Sequence, residues 1–246
     1  MSPGQFPCIE DNISIKFAHS FNLFHSIKMS RRSIIFILLP LFLSIGCSAG
    51  RLSRSPSKTE SPCDKQADLY LERGDWDKAI ESHERFVLEN PDCALAHYHL
   101  GYAYGFKGKH QREIDEYERA IELGLKKYDL FYNLGMVYAE YRTDYDKALE
   151  AFKQAEGMDP ENDEIHYALA LAYWFKEAES DAVVELLKTI NLNPRHLEAH
   201  SLLGEIYFQR GQYDFAKAEW EIILGIDPKN EMARKRLEQI RNLAPR

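Results

Sequence analysis

The sequence predicts an all-α fold, a solenoid in which short helical hairpins stack one on the next. Three observations predict it. From residue 60 onward the chain resembles itself at a period of 34 residues, as a comparison of "AHYHLGYAYGFKGKHQREIDEYERAIEL" from Ala96 with "LFYNLGMVYAEYRTDYDKALEAFKQAEGMDP" from Leu130 shows. Inside each copy, apolar residues recur at i, i+3, i+4 and i+7, the spacing that gives a helix one buried face. Proline then follows the second helix of four copies, at Pro91, Pro160, Pro194 and Pro228, where it stops that helix and sets the next turn.

Five copies align, at 60–93, 94–127, 128–162, 163–196 and 197–230, the third carrying one insertion near Thr143. A Leu-Gly pair stands in the first helix of three of them, at Leu100–Gly101, Leu134–Gly135 and Leu203–Gly204, with Leu169–Ala170 in the fourth. Small residues there let the two helices of a hairpin approach closely. The first-helix tyrosine is Tyr70, Tyr104, Tyr138, Tyr173 and Tyr207; the second-helix alanine is Ala79, Ala148, Ala182 and Ala216, with Glu113 departing in the second copy. The turns "RGDW", "KGKH" and "RGQY" place Gly where a left-handed residue is required. Position by position this pattern resembles the tetratricopeptide repeat (TPR). The resemblance implies a right-handed α-solenoid of five units, none of which buries its apolar face without a neighbour. It also implies a concave groove, lined by the first helices, that takes a protein or peptide partner.

Both ends read as ends. The first copy has Gln66–Ala67 in place of Leu-Gly, and its first helix opens on Ser61 as a candidate N-cap and Pro62 at the first helical position. Residues 231–243 predict a polar capping helix, with Met232, Leu237 and Ile240 on one side to cover the last repeat and Arg and Lys turned to water. The repeat domain therefore spans 61–243.

Ahead of the repeats, Arg31 and Arg32 precede a 12-residue apolar run from Ile34 to Ile45, broken by Pro40. At 1.5 Å per residue the run spans about 18 Å, short of the ~30 Å hydrocarbon core. A basic start, a short apolar stretch and small residues before a cut describe a secretory signal over 29–46. The exit "LSIGC" resembles the lipobox of bacterial lipoproteins, although Ser44 departs from the more usual Leu. That resemblance implies diacylglycerol on Cys47 and a protein anchored to a membrane through acyl chains. An ordinary cut after Gly46 or Ala49, or an uncleaved anchor, are the alternatives. Met29 is then the expected start and residues 1–28 a spurious extension. Residues 47–60 are the lipidated Cys and a Ser-rich tether, too poor in apolar groups to offset its ordering entropy. By the same resemblance, Ser48 after the Cys implies the cell envelope, at the periplasmic face of an outer membrane.

The formal charge of −8 is unevenly spread. Residues 61–230 hold 34 Asp and Glu against 19 Lys and Arg, a balance of −15, and residues 231–246 hold five Arg and Lys against two Glu, a balance of +3. A broad acidic surface repels phosphate backbones, so no nucleic acid partner is expected. The runs H-E-x-x-H, G-x-S-x-G and G-x-G-x-x-G do not occur, and "GFKGKH" at 105–110 is too short for a phosphate loop. No enzymatic activity, cofactor or metal is expected, and a metal-dependent hydrolase is the remote alternative. His97, His166 and His200 fall at the fourth position of their copies, where they read as packing rings with a satisfied nitrogen. His196 and His200 are four apart, a metal-like step with no third ligand near in sequence. The four cysteines, Cys8, Cys47, Cys63 and Cys93, show no C-x-x-C pairing. Cys63 begins one helix of an antiparallel pair and Cys93 closes the other, so an oxidising compartment would let them join; two free thiols are the alternative.

In the TPR family the groove is lined from positions two, five, nine, twelve and thirteen of each copy. Carried onto this chain, the resemblance implies Tyr98, Tyr102 and Phe106; Tyr132, Met136 and Glu140; Tyr167, Leu171, Trp174 and Phe175; and Glu198, Glu205 and Phe208. An aromatic floor flanked by acids suits an extended or helical peptide with apolar anchors and basic side chains. The Lys and Asn of the family's carboxylate clamp are replaced in the first copy by Asp64 and Asp68, so a chaperone C-terminus is not the expected ligand. The expected function is a membrane-anchored interaction scaffold of the bacterial envelope, within a secretion, pilus, polysaccharide-export or outer-membrane assembly system. The alternative is a structural adaptor that self-associates through its convex face or end helix.

Overall fold

The computed structural model describes residues 64–243, which belong to one compact unit, Cys63–Arg246. The signal, the tether, Cys8, Cys47, Cys63, Ser61 and Pro62 lie outside the described residues. Eleven α-helices follow one another without a strand among the described residues: α1 (Lys65–Arg73), α2 (Trp76–Glu89), α3 (Ala94–Phe106), α4 (His110–Glu122), α5 (Tyr128–Val137), α6 (Tyr145–Glu156), α7 (Asp163–Phe175), α8 (Glu179–Leu192), α9 (Leu197–Gln209), α10 (Tyr213–Ile226) and α11 (Glu231–Leu243). Odd and even helices up to α10 pair as five hairpins, and each even helix also packs on the odd helix that follows it. The chain is thus a stack whose order in space is its order in sequence.

The first helix begins at Lys65, capped by Asp64, whose Oδ1 accepts from the Gln66 amide at 2.9 Å. Three hairpin turns close on the expected left-handed glycines, Gly74, Gly108 and Gly211, with φ of 73°, 66° and 72°. In the third and fourth hairpins that conformation falls instead to Thr143 (φ 52°) and Glu177 (φ 62°), which carry a Cβ into a region that disfavours it. The inserted residue of the third copy has a definite place. Residues Tyr138–Arg142 continue α5 as a π-helical turn, and the wider turn absorbs the extra residue before Asp144 caps α6.

Hairpins are closed by a small residue facing a ring. A Cβ added at Gly101 would sit 2.7 Å from the Tyr117 ring, at Gly135 2.5 Å from Phe152, and at Gly204 2.7 Å from Trp220. Tyr117, Phe152 and Trp220 are fully buried. Where Ala170 replaces Gly, the equivalent residue on α8 is the non-aromatic Leu186, also fully buried.

A second repeating device joins the second, fourth and fifth hairpins to the turn before each. His97 Nδ1 lies 2.6 Å from Glu116 and its Nε2 donates to the Pro91 carbonyl at 3.1 Å. His166 does the same with Glu185 (2.8 Å) and Pro160 (3.0 Å), and His200 with Glu219 (2.6 Å) and Pro194 (3.1 Å). The rings expected to pack with a satisfied nitrogen have both nitrogens satisfied. The Glu116 and Glu219 bonds hold His97 and His200 above the ordinary imidazole range, which favours a proton on each of their nitrogens. Between consecutive hairpins, exposed pairs recur at matching positions: Lys107 with Asp77 (2.9 Å), Lys176 with Asp146, and Arg210 with Glu179. At the surface such pairs set register more than stability.

The last helix covers the fifth repeat. Ala216, Trp220, Ile223 and Ala233 form a buried cluster, with Leu237 and Ile240 of α11 packed on it; Met232 is half-buried. One basic side chain differs from expectation. Arg236 turns inward, 13% exposed, and meets Glu205 at 2.7 Å with its guanidinium over the Phe208 and Trp220 rings. Burying the arginine stem against two rings and pairing its head with a carboxylate is more favourable than leaving the rings bare at the end of the stack.

Candidate functional site

The first helices of the second to fifth repeats, α3, α5 with its π turn, α7 and α9, carry the residues that the sequence assigns to the groove. They fall in rows. The middle row is closed: Tyr102, Met136, Leu171 and Glu205 are buried. Glu205 is engaged by Arg236 at 2.7 Å and by Gln209 at 3.1 Å. The row nearer the helix starts is Tyr98, Tyr132 and Tyr167. Tyr98 is fully buried, its hydroxyl donating to Asp129 at 3.0 Å, and its ring lies 5.9 Å from Tyr117. Tyr132 and Tyr167 are half-buried, with rings 5.8 Å from Phe152 and 4.6 Å from His196. The last turn of each first helix is the more open row: Phe106, Glu140, Trp174, Phe175 and Phe208 are all half-buried. Phe106 stacks on Trp76 at 4.0 Å and Phe175 on Tyr145 at 5.2 Å. Glu198 is exposed.

One acid of this row, Glu140, has a fully buried acid, Glu113, for a neighbour. Glu113 stands where the other repeats have Ala, and its side chain is 1% exposed. It fits because Gly105 has no Cβ: one placed there would lie 2.5 Å from Glu113 Oε1. Burial pushes the Glu113 carboxyl up to about 8, with the Tyr117 hydroxyl working the other way. Its Oε2 lies 3.0 Å from His110 Nδ1, while Oε1 is buried without a hydrogen bond. Burial, and then the charge of Glu113, bring Glu140 up to about 7. The acids beside the aromatic row are thus partly neutral near pH 7. Composition alone does not reveal this, since it depends on the pairing of Glu113 with Gly105. Elsewhere, a shallow depression of about 370 Å³ lies among α2, α3 and α4, lined in part by Glu84, Leu88, Tyr104 and Arg112.

Three groups of carboxylates and imidazoles have ligand atoms within 4.8 Å of one another: Asp68, His83 and His99; Glu156, His166 and Glu185; and Asp163, Glu164 and His196. The second is a latch already described, with Lys188 between its two carboxylates at 3.3 and 2.9 Å. In the third, His196 Nδ1 accepts from the Ala199 amide at 3.2 Å and caps α9, so the His196–His200 step is used by the fold. The first was not legible in the sequence, because its members come from α1, α2 and α3. Among the described residues no helix is long and apolar enough to cross a membrane. Cys93 stands at the start of α3, half-buried.

Comparison with known proteins agrees with this geometry. Residues 65–128 match the family model described as tetratricopeptide repeat, and residues 142–175 match a second, described as TPR repeat. BBSome complex member BBS4 of Bos taurus is 24% identical over 169 residues, 68% of this chain and 32% of that protein. Anaphase-promoting complex subunit 3 of Schizosaccharomyces pombe is 26% identical over 155 residues, 63% of this chain and 23% of that protein. The chain therefore spans a third or less of the length of these relatives. Among solved structures, YrrB, described as a TPR protein with an unusual peptide-binding site, superposes with a TM-score of 0.63 at 20% identity, covering 69% of this chain and 87% of that one. MamA gives a TM-score of 0.63 at 22% identity, covering 69% and 99%. At these identities the two structures bear on the fold alone.

Proposed function

Because this chain is a tetratricopeptide-repeat protein, we propose that it is an interaction scaffold that holds a protein or peptide partner along the first helices of its repeats. One observation carries the reading: the last turns of those helices present Phe106, Glu140, Trp174 and Phe208 half-buried, in consecutive repeats, above a closed row. Such a row offers apolar area already fixed by packing, so a partner gains contact at little ordering cost. The acidic balance around it favours a segment with basic side chains between apolar anchors. YrrB, which shares the fold, is described as having a peptide-binding site. We further propose that acyl chains on Cys47 tether the scaffold to a bacterial envelope membrane and that its partner belongs to a secretion, pilus, polysaccharide-export or outer-membrane assembly system.

The test is crosslinking in cells with Trp174→Ala and Tyr132→Ala, partners being identified by mass spectrometry and the fold checked by circular dichroism. Loss of the same partners from both folded variants supports the surface. Undiminished recovery of every partner removes it. Labelled fatty acid incorporated into the native protein and absent from Cys47→Ala tests the anchor separately. A second reading has its own observation. Val184 and Leu187 on α8 and Phe215 and Ile222 on α10 are exposed apolar side chains on second helices, Phe215 at 60%. They favour self-association through that side, which would show as a mass that rises with concentration and falls back in Phe215→Ser.

A further inference from the structure

One cluster in the fold has neither been used by the latches nor by the aromatic row. Asp68 on α1, His83 on α2 and His99 on α3 converge at the joint between the first and second repeats. Asp68 Oδ1 is 2.8 Å from His99 Nδ1 and 3.7 Å from His83 Nε2. The two imidazoles meet edge to face, with centroids 5.4 Å apart. His83 is 0% exposed and His99 7%. Yet Asp68 Oδ1, His99 Nδ1 and both nitrogens of His83 are buried without a hydrogen bond. Leaving buried polar atoms unsatisfied costs about 1–3 kcal/mol each, so a fully enclosed histidine with two bare nitrogens calls for a partner.

The His166 grouping shows what a satisfied cluster looks like in this same fold. His166 spends both nitrogens on Glu185 and Pro160, and Lys188 supplies the cation. The His196 grouping stands between the two cases: Nδ1 is spent on its helix cap, while Nε2 is buried without a hydrogen bond. At Asp68 the ion-pair contacts among the described residues are the two imidazoles themselves. We propose that Asp68, His83 and His99 bind one divalent first-row transition-metal cation of the zinc type. Two imidazole nitrogens and one carboxylate oxygen are a donor set such ions take. Donors around a tetrahedral ion at 2.0–2.1 Å stand about 3.3 Å apart, and the observed 2.8 and 3.7 Å bracket that separation. The neighbouring Asp64 carboxylate bears electrostatically on His83 and adds negative charge to the site. The site is structural. Its donors come from three consecutive helices, so the ion joins the first hairpin of the described residues to the next repeat. This inference does not depend on the proposed partner surface.

The experiment uses untagged full-length protein and Zn²⁺ by isothermal titration, followed by X-ray absorption of the loaded protein. One equivalent is expected, with a shell of nitrogen and oxygen containing two imidazoles. Asp68→Asn and His99→Gln are expected to weaken binding at least about tenfold, a loss of the size seen when coordination is impaired, while His196→Asn leaves it unchanged. Absence of Zn²⁺ binding at micromolar free metal overturns the proposal, as does equal affinity in Asp68→Asn and His99→Gln. Should those variants fail to fold, the wild-type absorption spectrum decides: a sulfur shell, or fewer than two imidazoles, overturns it.

Discussion

Replacing Glu113 by Gln should stabilise the protein, and by an amount that depends on pH. The carboxyl is 1% exposed and is pushed up to about 8 from 4.5. An acid whose folded-state value is raised binds its proton more tightly folded than unfolded. Its burial therefore costs little below pH 4.5, where both states are neutral, and the cost grows as pH rises toward 8. Each tenfold change in proton affinity is worth 1.36 kcal/mol, so at pH 7 the penalty is about 3 kcal/mol. Gln keeps the shape that fits against Gly105 and removes the ionisation. Urea denaturation of both proteins at pH 5 and pH 8 gives the test. At pH 5 the two unfolding free energies should agree within about 1 kcal/mol, and by pH 8 Gln should have gained about 3 kcal/mol more. The latches move the wild-type curve the same way. His97 and His200 have raised values, so their stabilisation is complete below 6.5 and fades as pH climbs through the folded-state values. That part remains in Glu113→Gln and cancels in the difference between the two proteins. A gap of constant size across the range would refute the reasoning.

Three more outcomes follow from packing and backbone. Gly135→Ala drives a Cβ to 2.5 Å from the buried Phe152 ring; a loss of about 1–3 kcal/mol is expected in chemical denaturation. Glu177→Gly relieves a left-handed residue and should raise stability by up to about 1 kcal/mol, read as an upward shift of the thermal midpoint. Arg236→Ala bares Glu205 and the Trp220 ring, for a loss of about 2–4 kcal/mol; a double-mutant cycle with Glu205→Gln should return a clear coupling energy, and strict additivity would show the pair to be idle.

Much of the fold was legible because each repeat states the same physics again. The small residue of the first helix, the proline after the second helix and the turn glycines are local or near-local signals that recur in most copies, with Thr143 and Glu177 in the glycine's place in the third and fourth hairpins. The candidate groove was legible only as a set of positions. Which of its rings close and which stay open depends on neighbouring hairpins, as at Tyr98, which Asp129 and the Tyr117 ring occupy together. Arg236 escaped for a related reason: a polar helix pattern does not say that one basic side chain finds a buried carboxylate 31 residues earlier. The cluster of Asp68, His83 and His99 was invisible because its members lie on three helices and at three different positions within their repeats.

The wide turn at Tyr138–Arg142 has a practical consequence. One added residue in a regular helix would swing everything after it by about 100° and displace it by about 1.5 Å. Here the surplus is swallowed locally, and the hairpins downstream pair in the same order as those upstream. The end of that turn, with Tyr141, Arg142 and the following Thr143 exposed, is therefore a place where the molecule already accommodates extra length. A short graft there, such as a fluorophore-binding tag, offers a way to watch the protein without breaking the register of its hairpins.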